Sequence, residues 1–302
     1  MTIQFIKNRK ITYILSSILI AAALISIIIF GFKPGMDFVG GSLLELKISN
    51  VQVSSEQIQD VLKSFNINDA VITGIGSDGL LVRMKEVGEE QHQQLIQELK
   101  NKFSGIEEER FESMGPAIGK ELRNKSITGI IFVILGISLY LTYAFRKVSR
   151  PMASWKYGMV TVVALFHDVA IPAGVFSLLG HFLGMEIDAN FIVALLVVLG
   201  FSVHDTIVVM DRIREKLRLQ PGLDFSSTVN QSINETMVRS INTSLTLILV
   251  LLALFIFGPV SLKNFVLVLL IGTFFGTYSS IFLASPLIYD WYLLGKRRQI
   301  KK

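Results

Sequence analysis

In "LGFSVHDTIVVMDRIREK" (199–216) an imidazole and a carboxylate, His204 and Asp205, interrupt an apolar run before a charged cluster closes it. An ionisable group inside an apolar helix costs several kcal/mol unless it is paired or wetted. Downstream, Arg239, Asn242, Thr243 and Thr246 recur at i, i+3, i+4 and i+7, with Glu235 one turn back. Such a stripe must face protein or a water-filled cavity, not lipid. A further apolar run holds Asp168 beside His167. The chemistry open to these groups is proton handling. A close arginine favours an ionised carboxylate, withdrawal into a low dielectric favours its protonation, and alternation between the two across a membrane is a proton relay. The driving force available is about 2.3 kcal/mol per charge per 100 mV. Asp205 and Arg239 are the expected relay, on consecutive antiparallel spans, with Asn242, Thr243 and Thr246 as its polar lining. His204 either hands protons to water or caps a polar patch. The competing reading is a static buried ion pair that fixes helix packing. For Asp168 a structural hydrogen-bonding role is favoured, with a second relay position as the alternative.

The elements that must position these groups are membrane spans. The 302 residues are 51% hydrophobic and only 18% charged, too apolar for an ordinary soluble domain. Six runs, at roughly 12–32, 127–145, 157–179, 189–210, 239–257 and 264–290, are long enough to cross a hydrocarbon core. The first is read as a retained span and not as a cleaved signal peptide. The net charge of +5 is split: residues 34–124 hold 9 Lys and Arg against 15 Asp and Glu, net −6, and the remainder holds 20 against 9, net +11. The excess of basic residues flanks the spans, so membrane topology explains it without nucleic acid. Lys7, Arg9 and Lys10, then Arg146, Lys147, Arg150 and Lys156, then Arg212, Arg214, Lys216 and Arg218, and finally Lys296, Arg297, Arg298, Lys301 and Lys302 all fall on one side. Both termini are therefore expected in the cytoplasm and residues 34–125 outside. After the break at Pro221-Gly222, Phe225, Val229, Ile233 and Met237 recur every four residues and predict an amphipathic cytoplasmic segment over 221–238, its stripe against the membrane or the protein's own spans. Gly272, Gly276 and Ser280, also four apart, allow close approach of another helix, in this chain or in another subunit.

The exported segment reads as strand 42–48, helix 54–65 opened by a serine cap, strands "AVITGI" and "LLVRMKE", helix 89–103 and strand 106–113. The order β-α-β-β-α-β fits a ferredoxin-like α+β domain. "GIGSDG" (74–79) satisfies a dinucleotide fingerprint, but a strand follows where a helix is required, so a hairpin turn is expected. "GPAIGKEL" (115–122) fails the P-loop spacing, and Glu121 stands where Ser or Thr is needed. No nucleotide, cofactor or metal is expected. The chain has no cysteine, His92 and His181 read as solvated, and neighbouring His-Asp pairs point about 100° apart on a helix. No serine has a nucleophile-elbow context, so the chain is not expected to be an enzyme.

Four segments then carry a resemblance. "GMDFVGGSLLEL" (35–46), "SMGPAIGKEL" (113–122), "LGFSVHDTIVVMDRIREK" and "NETMVRSINTSLTLILVLL" (234–252), in that order, resemble the SecD/SecF family of the bacterial Sec protein-export machinery, within the resistance-nodulation-division superfamily. The resemblance implies a multi-pass subunit of the bacterial cytoplasmic membrane that supplies half of a twelve-span unit. It implies SecD, the SecYEG translocon, YajC, a translocating preprotein and membrane lipid as partners, and use of the proton motive force late in translocation. It places Asp205 and Arg239 in the proton path. His204 stands where the family leads one to expect asparagine, which leaves sodium coupling open. A small-molecule exporter of the same superfamily and a non-transducing scaffold are the alternatives; the first usually carries two six-span halves and larger exported domains.

Overall fold

Apolar sequence that cannot hand its backbone polar groups to lipid must satisfy them along the chain, and helices do this. In the structure, a computed structural model describing residues 3–48, 53–75, 78–146, 152–220 and 222–300, six helices are long and apolar enough to cross a membrane. They are α1 (Phe5–Phe30), α5 (Pro116–Ala144), α6 (Trp155–Leu183), α7 (Ala189–Leu219), α8 (Phe225–Phe257) and a last span in two pieces, α9 (Lys263–Ser279) and α10 (Ser285–Ile300), joined by a π-helical turn at Ser280–Ala284. Two compact units divide the chain, Met1–Lys33 with Thr128–Lys302, and Pro34–Ile127. The expectations resting on Lys147, Arg150, Pro221, Lys301, Lys302, Gly76 and Ser77, and on the side chains of Arg297 and Arg298, lie outside the described residues.

The helical unit is organised around α6, α7 and α9, which hold most of its buried residues. Small side chains bring the backbones together. A Cβ at Gly272 would overlap Val198, and one at Gly276 would come within 3.1 Å of Ser202 Cβ. One turn on, Ser280 Oγ lies 3.1 Å from Thr206 Oγ1. The ladder 198–202–206 against 272–276–280 thus seats α9 on α7 within this chain. Similarly α1 lies on α6, where Ser26 donates to the Gly174 carbonyl at 3.0 Å.

The helix expected after Pro221-Gly222 begins at Phe225 and runs on into the fifth span with no break before Arg239, as the single helix α8. Asp224 caps it, accepting from Ser227 N at 3.1 Å, and the Ser227 hydrogen bonds hold this carboxyl below the usual range. Phe225, Val229 and Ile233 are buried with α6, α7 and the last span, and Met237 packs on the same cluster.

In the second unit, α2 (Met36–Val39) precedes four strands, β1 (Gly41–Ile48), β2 (Val71–Ile75), β3 (Gly79–Met84) and β4 (Ile106–Met114). The sheet order is β2-β3-β1-β4, every neighbouring pair antiparallel, with α3 (Ser55–Ser64) joining β1 to β2 and α4 (Glu89–Lys102) joining β3 to β4. Alternation along β1 buries Leu44 and Leu46 against Ile58, Leu62, Leu95 and Leu99. Ser54 caps α3 in a reciprocal box with Gln57. Gly40 and Gly41 have φ of 82° and 131°, and a Cβ on them would approach Pro116 N at 2.7 Å and the Met84 carbonyl at 2.8 Å, so both must be glycine. His92, expected in solvent, is instead 3% exposed. Its Nε2 lies 3.1 Å from Glu108, and its ring stacks on Phe111 at 3.6 Å. Helical periodicity puts it on the inner face of α4 with Leu95, Ile96 and Leu99, and the partner across β4 makes burial of its polar atoms affordable.

Two outcomes follow from this packing. Gly272→Val should destabilise the purified full chain by about 1–3 kcal/mol through overpacking on Val198, read as a lower unfolding temperature, and adding Val198→Ala should recover part of it. His92→Ala removes the stack and leaves Glu108 without its partner, at a cost of about 1–3 kcal/mol. Faster amide exchange confined to α4 and β4 would register it.

Candidate functional site

Asp205 is 2% exposed, on the face of α7 that also buries Ser202, Thr206 and Val209. Its carboxylate meets hydroxyls and not a cation. Thr277 Oγ1 of α9 is 3.4 Å from Oδ2, and Ser240 and Ser244 of α8 lie against the same group. Thr277 and Ser244 are in turn hydrogen-bonded to each other.

The Asp205–Arg239 approach expected from sequence is not made. Among the described residues no ion pair joins them, and Arg239 is exposed. The reason is angular. Each residue of an α-helix turns about 100°, and α8 directs Thr228, Ser232, Thr236, Ser240 and Ser244 inward, all of them buried. Arg239, Asn242, Thr243 and Thr246 therefore face outward, and Thr243 and Thr246 return their hydroxyls to the carbonyls of Arg239 and Thr243, at 2.9 and 2.8 Å. His204, one residue before Asp205, is exposed as well.

Arg239 lines a cleft of about 450 Å³ between α7 and α8 with Asp211, Arg212, Glu215, Glu235 and Thr236. Arg212 and Lys216 clamp Glu235 at 2.6 and 2.7 Å, and Arg212 also meets Glu215 at 2.5 Å. Glu235, which continues the polar stripe, is thus balanced by cations of α7.

Asp168 is fully buried. His167 Nδ1 lies 2.8 Å from Oδ1, Ser279 of α9 donates to Oδ2 at 2.8 Å, and Ser202 of α7 donates to the same oxygen. Neighbouring His and Asp side chains do meet here, because both side chains bend along α6. No cluster of three or more His, Cys, Asp or Glu suited to a metal occurs among the described residues.

Sequence reasoning missed Ser202, Ser240, Ser244, Thr277 and Ser279. The signal for two of them was present as the four-residue recurrence 228–232–236–240–244, one position out of step with Arg239, but without the packing partner nothing distinguished which stripe points inward.

Hydrogen counting shows what the arrangement can do. Thr277 has one hydroxyl hydrogen and three acceptors in reach: Asp205, Ser244 and the Thr273 carbonyl at 3.0 Å. Ser244 likewise chooses between Thr277 and the Ser240 carbonyl at 2.8 Å. With Asp205 ionised, Thr277 turns to the carboxylate and Ser244 can donate to Thr277. With Asp205 protonated, the acid donates to Thr277, which turns back to its own helix. Both protonation states are satisfied by rotating hydroxyls, without moving a helix.

Comparison with known proteins matches residues 94–293 to "Protein export membrane protein SecD/SecF, C-terminal" and residues 25–50 to "SecD/SecF GG Motif", which contains Gly40 and Gly41. The chain is 42% identical to the protein translocase subunit SecF of Thermobaculum terrenum, over 96% of this chain and 94% of that one. It is 37% identical to that of Anaerolinea thermophila, with the same coverage. A crystal structure of SecDF, described as a translocon-associated membrane protein, from Thermus thermophilus superposes with a TM-score of 0.80 at 34% identity, covering 96% of this chain. The chain spans 39% of that SecDF, in which SecD and SecF share one polypeptide. With four sequence segments, the glycine pair and near full-length similarity in agreement, the chain belongs to the SecF family of protein translocase subunits, multi-pass membrane proteins of protein export.

Proposed function

We propose that this chain works with SecD to turn the proton motive force into late-stage translocation of unfolded preproteins, with Asp205 as the proton-carrying group. The observation that carries this reading is a buried carboxylate whose hydrogen-bond partners among the described residues are hydroxyls that can serve it in either protonation state. A group meant purely as a structural ion would be paired with a fixed cation, since an unpaired buried charge is costly. Arg239, at the cleft on α8, is the cation that would meet Asp205 in another state of the cycle, and the outward stripe Asn242, Thr243 and Thr246 would be covered by the partner half. His204, exposed beside Asp205, would exchange protons with water.

SecD is the partner suggested by relatives in which both proteins form one chain. The SecYEG translocon, YajC and the preprotein follow from the same family assignment. The chain would act as a transport subunit and not as an enzyme, in the cytoplasmic membrane, with both termini and the basic loops inside and residues 34–125 outside. We read that exported unit as ferredoxin-like, supported by the strand order β2-β3-β1-β4 with two crossing helices. The hydroxyl and carboxylate oxygens would also suit sodium, so coupling is tested with both ions.

The deciding experiment is export of a secreted precursor in cells whose only copy is Asp205→Asn. Export should fall to the level of cells lacking the chain, with normal abundance and normal co-purification of SecD. Normal export would assign Asp205 to packing alone and favour a scaffold. Arg239→Gln should also impair export, without loss of abundance. Thr277→Val, which leaves Asp205 short of its α9 donor, should slow export while the chain still assembles.

A further inference from the structure

The relay just described leaves a second buried ionisable pair unused. His167 and Asp168 are each 0% exposed on α6, a more complete burial than that of any group around Arg239. Asp168 accepts from three donors on three successive packed elements: His167 of α6, Ser202 of α7 and Ser279 of α9. The far nitrogen, His167 Nε2, is buried and has no hydrogen-bond partner among the described residues. An imidazole needed only as a strut would use its second nitrogen or be replaced by a side chain without one, because an orphaned buried polar atom is destabilising. A vacant ring nitrogen beside a carboxylate is a place for a proton.

Aromatic rings enclose that imidazole. The Tyr278 ring stacks on His167 with centroids 5.9 Å apart, and Phe275 closes the edge. The Tyr278 hydroxyl is held by α1, donating to the Thr12 carbonyl and accepting from Ser16, both at 3.2 Å. These contacts tie the Tyr278 hydroxyl to α1 and lie apart from the α7–α8 cleft that Arg239 lines. The titratable group facing the pair from α9 is Tyr278; from α7 the nearest along the helix are His204, which is exposed, and Asp205, which is buried one turn past Ser202. Arg9, Tyr13 and Asp290 form their own cluster further along α1 and α10.

We propose that His167–Asp168 is a second proton-binding site, distinct from Asp205, whose loading frees α9 from α6 and α7. The step balances. In the unloaded state Nδ1–H donates to the ionised carboxylate. A proton from water adds to Nε2, and the Nδ1 proton passes to Asp168 Oδ1, leaving a neutral imidazole with Nε2–H and a carboxylic acid. One proton enters and one negative charge disappears. The neutral acid is a weaker acceptor, so Ser279 turns to the Gly276 carbonyl, already 3.0 Å away, and Ser202 loses its strong partner. The release falls where α9 is least regular. The π turn begins at Ser280, the residue after Ser279, and Ser280 contacts Thr206 and the Ser202 carbonyl. Single π turns inside helices are common at functional sites, and this one adjoins hydroxyls bonded to both carboxylates.

The proposal rests on the proton-coupled reading but fails separately from it. The discriminating variant is His167→Asn, which keeps a donor near the Nδ1 position and removes the site for the added proton. In the complex with SecD, His167→Asn should assemble normally, lower export several-fold and flatten its dependence on pH; a merely structural His167 would leave the profile unchanged. Infrared difference spectra of the complex after a pH jump should show a protonated-carboxyl band that is lost in Asp168→Asn, shifted in Ser279→Ala and kept in Asp205→Asn. The proposal is overturned if His167→Asn exports with the wild-type pH profile, or if the only carboxyl band belongs to Asp205. If Asp205→Asn is silent while the Asp168 band is present, it is the Asp205 reading that fails.

Discussion

Two carboxylates buried in a low dielectric, neither paired with a Lys or Arg among the described residues, constrain everything around them. Each must be met by several hydrogen-bond donors or its burial would cost more than the fold could supply. The donors are serines and threonines, whose side chains are short. A short donor reaches across a helix interface only if the backbones lie close. That is why glycine recurs on α9: Gly272 and Gly276 let α9 settle onto Val198 and Ser202, and this brings Thr277 to Asp205 and Ser279 to Asp168. Replacing the glycines with alanines would alter no polar group, yet the carboxylates would lose their donors.

The same constraint gives α8 two polar faces with different roles. Its inner face of Thr228, Ser232, Thr236, Ser240 and Ser244 is buried, and the hydroxyls of all but Ser240 return to carbonyls four residues back. They place polar atoms in the interior while satisfying their own donors, and the buried Ser240 hydroxyl, which bonds no carbonyl, is left to the Asp205 carboxyl it lies against. Its outer face carries Arg239 and exposed threonines. About 100° separates Arg239 from Ser240, so in this helix orientation the hydroxyl face meets Asp205 and the arginine does not.

Much of this architecture was legible in the sequence. Long apolar runs, a capping serine at Ser54 and alternation in "SLLELKI" are local signals, and the helices and strands they specify form where expected. What could not be read was relative rotation. Whether Arg239 or Ser240 faces Asp205 depends on which neighbour α8 packs against, and both stripes have helical spacing. His92 misled for the same reason: its type suggests solvent, while its place in the heptad with Leu95 and Leu99 puts it inside, and only the fold supplies Glu108 and Phe111. The continuity of α8 across Asp224–Arg239 was hidden because polar residues that line a protein seam look like those that leave a membrane.

The two buried carboxylates differ in a way that bears on their roles. Asp205 shares Thr277 with competing acceptors, so its donors can reorient when it is protonated, and the helices need not move. Asp168 has donors from three helices converging on it, and Ser202 has no second acceptor bonded to its hydroxyl among the described residues. Neutralising Asp168 therefore weakens the acceptor that ties Ser202 of α7 and Ser279 of α9 to α6, and leaves Ser202 without a strong acceptor. A site whose two states are equally well solvated by its surroundings can pass a proton cheaply but cannot push on anything. A site whose second state is poorly solvated stores the difference as strain. Moving an element with a proton needs both kinds, one to conduct and one to resist, and in this fold the two stand on either side of α9, one turn apart, at the point where that helix departs from α-geometry.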